Sequence, residues 1–197
     1  RYRVRPDREV LKSNQDGFNV LFVGRVSPNK RFEDLILTFH YLKQRVRPDA
    51  RLVLVGSARG MEPYLDFLQA LVRKLGLSDV VFTGHISKAA LVAHFQSAHV
   101  FLSMSEHEGF GVPLLESMHF DVPIIAYRAA AAPETLGNSG VLVRSKDHAA
   151  IAEAIGVVTE DADLRARIVA RQKARLQAFM PDRVAERLKE LLGNLDE

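Results

Sequence analysis

From Asn19 onward the chain alternates short apolar runs, rich in β-branched residues, with longer segments whose apolar residues recur at helical spacing. This alternation restricts the fold to strands joined by helical crossovers, and such connections produce parallel sheets. Parallel strands are covered on both faces, which is why they read as unbroken apolar runs such as LVLV at residues 52–55. Six strands are expected, at residues 19–23, 51–55, 80–82, 100–102, 123–126 and 141–143. Helices are expected between them at residues 32–44, 61–75, 88–96, 112–120 and 133–136. The fold class is therefore α/β, an open parallel six-stranded sheet flanked by helices.

The texture changes after Val143. Residues 147–160, 161–179 and 181–192 all have helical period and are rich in Ala, Arg and Glu, which marks a C-terminal helical tail that packs on the sheet domain or on a neighbour. The lead-in RYRVRPDREVLKSNQDG is basic, contains a proline and opens without Met, so it is expected to be a linker from a preceding domain. The expected organisation is linker 1–18, sheet domain 19–145 and helices 146–197.

Composition narrows the partners. The 27 Lys and Arg nearly balance the 24 Asp and Glu, which leaves a net charge of +3 and no broad field to select nucleic acid or anionic lipid. The absence of cysteine removes disulfide frameworks, cysteine-rich zinc sites and thiol nucleophiles, and fits a reducing compartment. No apolar run approaches the roughly 20 residues a membrane helix requires, and the N-terminus lacks a hydrophobic signal region. A cytoplasmic chain is expected, with any peripheral membrane contact left to the preceding domain.

Glycines Gly24, Gly56 and Gly84 fall just past strand ends, on the sheet edge where open α/β folds bind ligands. Two motifs share that edge. In SMSEHEGFGVPLLESM at residues 103–118, Gly109 and Gly111 let backbone approach a ligand, and a helix starting near Pro113 presents N–H groups suited to phosphate. Glu108 and Glu116 bracket this turn and can face one ligand, since carboxylates accept hydrogen bonds from sugar hydroxyls. A helix glutamate is also commonly just solvated. In GRVSPNK at residues 24–30, Arg25 and Lys30 flank a turn and can clamp a diphosphate by side-chain charge, although such cations are often merely solvated. The dinucleotide fingerprint G-x-G-x-x-G and the G-x-x-x-x-G-K-[ST] loop are both absent.

Together GRVSPNK and EHEGFGVPLLE, with FTGHI, DVPIIAY and PETLGNSGVLV, resemble the donor-binding domain of family 4 retaining glycosyltransferases (glycosyl transferases group 1), which have two facing Rossmann-like domains (the GT-B fold). The similarity covers roughly residues 19–143. It implies that Arg25 and Lys30 hold a donor diphosphate, that Glu116 binds the nucleotide ribose, and that Glu108 contacts the sugar. It further implies that backbone around Gly111 and Val112 reaches the phosphate and that Ile86 lies against the base, with Gly24, Gly109 and Phe110 completing the donor-binding set. His107 invites a general-base reading, but a solvated histidine fits it better. The run Ala129–Ala132 is blander than the Gly or Ser the family often carries there, so contacts at that turn are in question.

The implied reaction is transfer of a hexose from a UDP-, GDP- or ADP-sugar to an acceptor hydroxyl with retention. Arg25, Lys30 and Glu108 are the catalytic candidates, and neither a metal nor a further cofactor is expected. Acceptor contacts would lie in the preceding domain, so this chain is expected to be inactive alone. A non-catalytic nucleotide-sugar-binding module, or an epimerase or phosphorylase of similar fold, is the rival reading.

Overall fold

The structure, a computed structural model, describes residues 4–193, with side chains through Lys189. Six parallel strands form one sheet: β1 (Phe18–Val23), β2 (Ala50–Val55), β3 (Val80–Gly84), β4 (Val100–Ser103), β5 (Ile124–Tyr127) and β6 (Val141–Val143). Their order is β3-β2-β1-β4-β5-β6, so the chain winds outward from β1 and then returns to wind outward the other way from β4. That reversal opens a crevice at the carboxyl ends of β1 and β4, the customary ligand site of doubly wound sheets. The register Val20↔Val100 and Leu21↔Phe101 fixes the two strands as neighbours.

Helices cover both faces, which explains the unbroken apolar strands. Helix α2 (Phe32–Arg45) packs on α7 (His148–Glu160), while α5 (Val112–His119) packs on α8 (Ala162–Gln177). Also in place are α1 (Arg8–Ser13), α3 (Glu62–Lys74), α4 (Lys88–Ser97), α6 (Ala132–Leu136) and α9 (Pro181–Gly193). The core is aromatic where the two halves of the sheet meet: Phe22 on β1 stands edge-on to Phe32 at 5.1 Å and lies 6.0 Å from Phe101 on β4. Helix α8 is tied to the start of β5 by buried Gln172, whose amide accepts from the Ile124 N–H at 3.1 Å and donates to the Val122 carbonyl at 2.8 Å.

The structure departs from the sequence expectations at both ends. The lead-in taken as a linker contains α1, capped by the Asp7 carboxylate and packed on α4. Its C-cap Asn14 is buried and bonded to His94 and Ser97, so this stretch is built into the sheet domain. The link escaped a reading by period because a six-residue helix is too short to show one. At the other end α7 and α8 pack on α2 and α5, whereas residues 181–189 of α9 are exposed throughout. Its apolar residues Val184 and Leu188 meet no neighbour that buries them among the described residues.

Candidate functional site

The crevice is built where β1 and β4 end. After β1, Gly24 turns the chain; its N–H donates to the Val55 carbonyl at 2.9 Å, and its own carbonyl lies against Gly56. A Cβ at Gly56 would stand 1.8 Å from the Gly24 oxygen, at a φ of 156°, so only glycine allows β1 and β2 to end this close together. A 3-10 turn at Pro28–Lys30 follows, and Arg31 then adopts a left-handed φ of 53° to start α2.

The loop after β4 is zipped onto that turn. The Glu106 N–H donates to the Asn29 carbonyl at 3.0 Å, and the Asn29 amide and Lys30 ammonium both donate to the His107 carbonyl, at 3.3 and 3.0 Å. Lys30 Nζ also pairs with Glu108 Oε1 at 2.7 Å, with both side chains only about 15% exposed. Two candidates taken from separate motifs thus meet directly. His107 contributes its backbone carbonyl while the residue is exposed, in line with a solvated ring.

Arg25 takes the other side of the crevice, donating from Nη2 to the Arg59 carbonyl at 3.2 Å. With Gly24, Gly56, Gly84 and Ile86 it lines a cavity of about 260 Å³ between the ends of β1, β2 and β3. The structure therefore sorts the candidates into Lys30 with Glu108 on one wall, and Gly24, Arg25 and Ile86 on the other.

Helix α5 forms the floor. Gly111 caps its start at a φ of 73° without any side-chain cap bond, and Pro113 sits in the first turn, so the N–H groups there are not covered by a capping side chain. The preceding carbonyl of Phe110 accepts from Thr135 Oγ1 at 2.8 Å, which ties this loop to α6. Phe110 is half exposed, with its ring edge-on to Phe179 at 5.8 Å. Val112 is also exposed and a Cβ at Gly109 would meet nothing within 4 Å, so the chain is open to solvent at those two residues, whereas Gly111 between them is buried against Leu114. Glu116 is buried at the second turn of α5.

Behind the crevice lies a cluster that no motif announced. Asp34, buried in the first turn of α2, accepts from Arg31 Nε at 3.0 Å, Lys146 Nζ at 2.8 Å and His148 Nε2 at 3.0 Å. Lys146 reaches on to Glu106 at 2.6 Å and lies over the Tyr127 ring at 4.8 Å. Burial alone would raise the Asp34 pKa, but the hydrogen bonds from Lys146, Arg31 and His148 outweigh it and hold the carboxyl below its ordinary value. Lys146 and the nearby Arg31 likewise hold Glu106 below the usual range. Because Arg31 adjoins Lys30 and Glu106 is two residues before Glu108, this cluster fixes the loops that carry the crevice pair. Only the polarity of Asp34 on an otherwise apolar helix face hinted at it.

A doubly wound sheet with paired charges and an open helix start at its switch point is the architecture of a Rossmann-like nucleotide-binding domain. Residues 4–175 match the family model described as Glycosyl transferases group 1, and the chain belongs to that family. It is 34% identical over 175 residues to a GDP-mannose-dependent alpha-(1-6)-phosphatidylinositol monomannoside mannosyltransferase of Mycolicibacterium smegmatis, covering 82% of this chain and 44% of that one. It is also 34% identical over 180 residues to a D-inositol 3-phosphate glycosyltransferase of Acidothermus cellulolyticus, covering 87% and 40%. The chain thus spans less than half the length of these relatives. Anabaena HepE in complex with UDP-glucose shares the fold at a TM-score of 0.81 and 23% identity, over 96% of this chain and 54% of that one. The C-terminal domain of a group 1 glycosyl transferase from Francisella tularensis shares it at 0.73 and 23% identity, over 88% and 94%. No described helix is long and apolar enough to cross a membrane.

Proposed function

We propose that this chain is the donor-binding half of a retaining hexosyltransferase, and that it binds a nucleoside diphosphate sugar in the crevice between β1 and β4. The observation that carries this reading is the Lys30–Glu108 pair at 2.7 Å, on the loop that leads into the uncapped start of α5. In it the donor diphosphate lies against Arg25, Lys30 and the backbone at Gly111 and Val112, with the base against Ile86. Gly24, Gly109 and Phe110 border it, the ribose meets Glu116, and the sugar meets Glu108.

The mechanism follows from where charge develops. As the bond from sugar to diphosphate breaks, negative charge grows on the leaving oxygen and the sugar becomes cationic. Fixed cations and amide dipoles at the diphosphate lower that barrier because they need no reorganisation. Lys30 is held by Glu108 before the donor arrives, so an incoming diphosphate competes for the ammonium and frees Glu108 to accept hydrogen bonds from sugar hydroxyls. The pair acts as a sensor of an intact donor. Among the described residues there is no group of three or more His, Asp or Glu placed to hold a metal.

The name of the mannosyltransferase relative makes a GDP-hexose the first donor to try, and the HepE complex makes UDP-glucose the second. Calorimetric titration with GDP-, UDP- and ADP-sugars is expected to find one that binds, with Lys30→Ala and Glu116→Ala each weakening it about tenfold or more. Unchanged affinity in both variants would remove the assignment. Glu108→Gln is expected to weaken the nucleotide sugar yet strengthen the bare nucleoside diphosphate, because it removes the internal competitor for Lys30. Negligible transfer by this chain alone is expected; robust turnover with an acceptor would contradict the placement of acceptor contacts in another domain.

A further inference from the structure

A cavity larger than the 260 Å³ one beside Arg25 lies away from the crevice. It is a cleft of about 1070 Å³ along the outer edge of β6, two strands from β4 and so roughly 10 Å away at the usual strand spacing. Arg128, Arg144, Arg171 and Arg175 line it, and no acidic residue does. Four guanidinium groups here exceed the net charge of +3 carried by the whole chain.

The arginines are arranged rather than scattered. Arg128 and Arg144 directly follow β5 and β6, and the register Tyr127↔Val143 with the Arg128 N–H donating to Val143 at 2.9 Å sets them side by side. Arg171 and Arg175 lie four residues apart on one face of α8. Arg175 is fixed by donating to the Glu134 and Thr135 carbonyls at 2.5 and 3.1 Å and by stacking on Phe179 at 4.9 Å. Arg128, Arg144 and Arg171 are exposed, and none has an ion-pair partner within 4.0 Å among the described residues. Like charges placed side by side repel. The planar fork of arginine matches phosphoryl oxygens two at a time, and the free edge of β6 adds backbone donors.

We propose that this cleft is a second anion site, one that takes a ligand bearing two or more phosphoryl groups. A single phosphoryl group satisfies one fork or two, whereas cations that enter from two strand ends and a helix face surround a ligand with several.

The test uses the chain with Lys30→Ala, which weakens the crevice, titrated calorimetrically with inorganic tripolyphosphate at low salt. Binding is expected to persist, to weaken with added salt, and to fall about tenfold with each of Arg128→Ala, Arg144→Ala and Arg171→Ala. Arg→Lys at the same positions is expected to fall in between, since it keeps the charge and loses the fork. These side chains are exposed, so thermal melts should be unchanged. Co-sedimentation with phosphatidylcholine vesicles, with and without phosphatidylinositol bisphosphate, separates the sources. Pelleting that depends on phosphatidylinositol bisphosphate and on the arginines identifies a lipid headgroup, while tripolyphosphate binding without pelleting identifies a soluble ligand. No tripolyphosphate binding by the Lys30→Ala chain, or equal binding by the triple alanine variant, overturns the proposal.

Discussion

At the amino ends of β1 and β4 the chain is joined mainly by neutral side chains, with the Arg51 guanidinium donating to the Ser13 carbonyl, whereas at the carboxyl ends of the same two strands it is joined by pairs of opposite charge. At the amino end Asn14 donates to His94 Nδ1 at 3.0 Å, the Asn19 amide donates to the Asn14 carbonyl at 2.8 Å, and the Asn19 N–H donates to His99 Nδ1 at 3.1 Å. At the carboxyl end stand the Lys30–Glu108 pair and the Asp34 cluster. Neutral hydrogen bonds hold one geometry and offer little to an ionic ligand. Charge pairs can exchange partners when a charged ligand enters, so the same two strands are clamped at one end and responsive at the other.

The largest expected effect tests whether the responsive end still depends on exact backbone contact. Gly56→Ala places a Cβ into the Gly24 carbonyl and should cost about 3 kcal/mol or more of stability, or prevent folding, as read from chemical denaturation. A near-neutral effect would mean that the ends of β1 and β2 can separate.

Asp34→Asn comes next. It leaves Lys146, Arg31 and His148 facing an amide, and since Arg31 is 36% exposed the cost should be about 2 kcal/mol, below that of a fully buried pair. The lowered Asp34 pKa means that its contribution is complete above its ordinary value of 3.8 and is lost as pH falls through the lower native value. The variant should therefore show a flatter acid limb, together with weaker donor binding because the crevice loops loosen.

Asn14→Ala should cost about 1 to 2 kcal/mol by stranding buried partners, with donor affinity unchanged. A change in donor binding would collapse the distinction between the two ends. Burial holds His94 and His99 below their ordinary 6.5, so the unfolded chain takes up protons first. Stability should decline as pH falls from about 6.5 through the lowered native values, and replacing both histidines by Gln should flatten that stretch. Smallest is the Lys30–Glu108 coupling itself, expected at about 1 kcal/mol in a double-mutant cycle of stability, far below its effect on donor binding.

The strands, the crossover helices and both motifs were legible in the chain because apolar periodicity and turn glycines are local signals. The strand expected from residue 123 begins instead at Ile124, and that from 80 to 82 extends to Gly84, which are shifts at ends where pairing decides the boundary. Helix α1 and the exposure of α9 were not legible, since both depend on whether a neighbour is present. Of the candidate residues, GRVSPNK and EHEGFGVPLLE were found by residue type, yet nothing local indicated that Lys30 would meet Glu108 while Arg25 turned to the Arg59 carbonyl.

The sequence by itself determined a parallel α/β sheet with its chemistry on one edge, because side-chain period and glycine placement act within a few residues. Only the tertiary structure decided that β1 and β4 are neighbours, and with that which charges pair. Residues 31 and 34 at the start of α2, 106 after β4, and 146 and 148 at the start of α7 are three separate segments that converge through strand order. Electrostatic pairing acts through space and leaves no period in the chain.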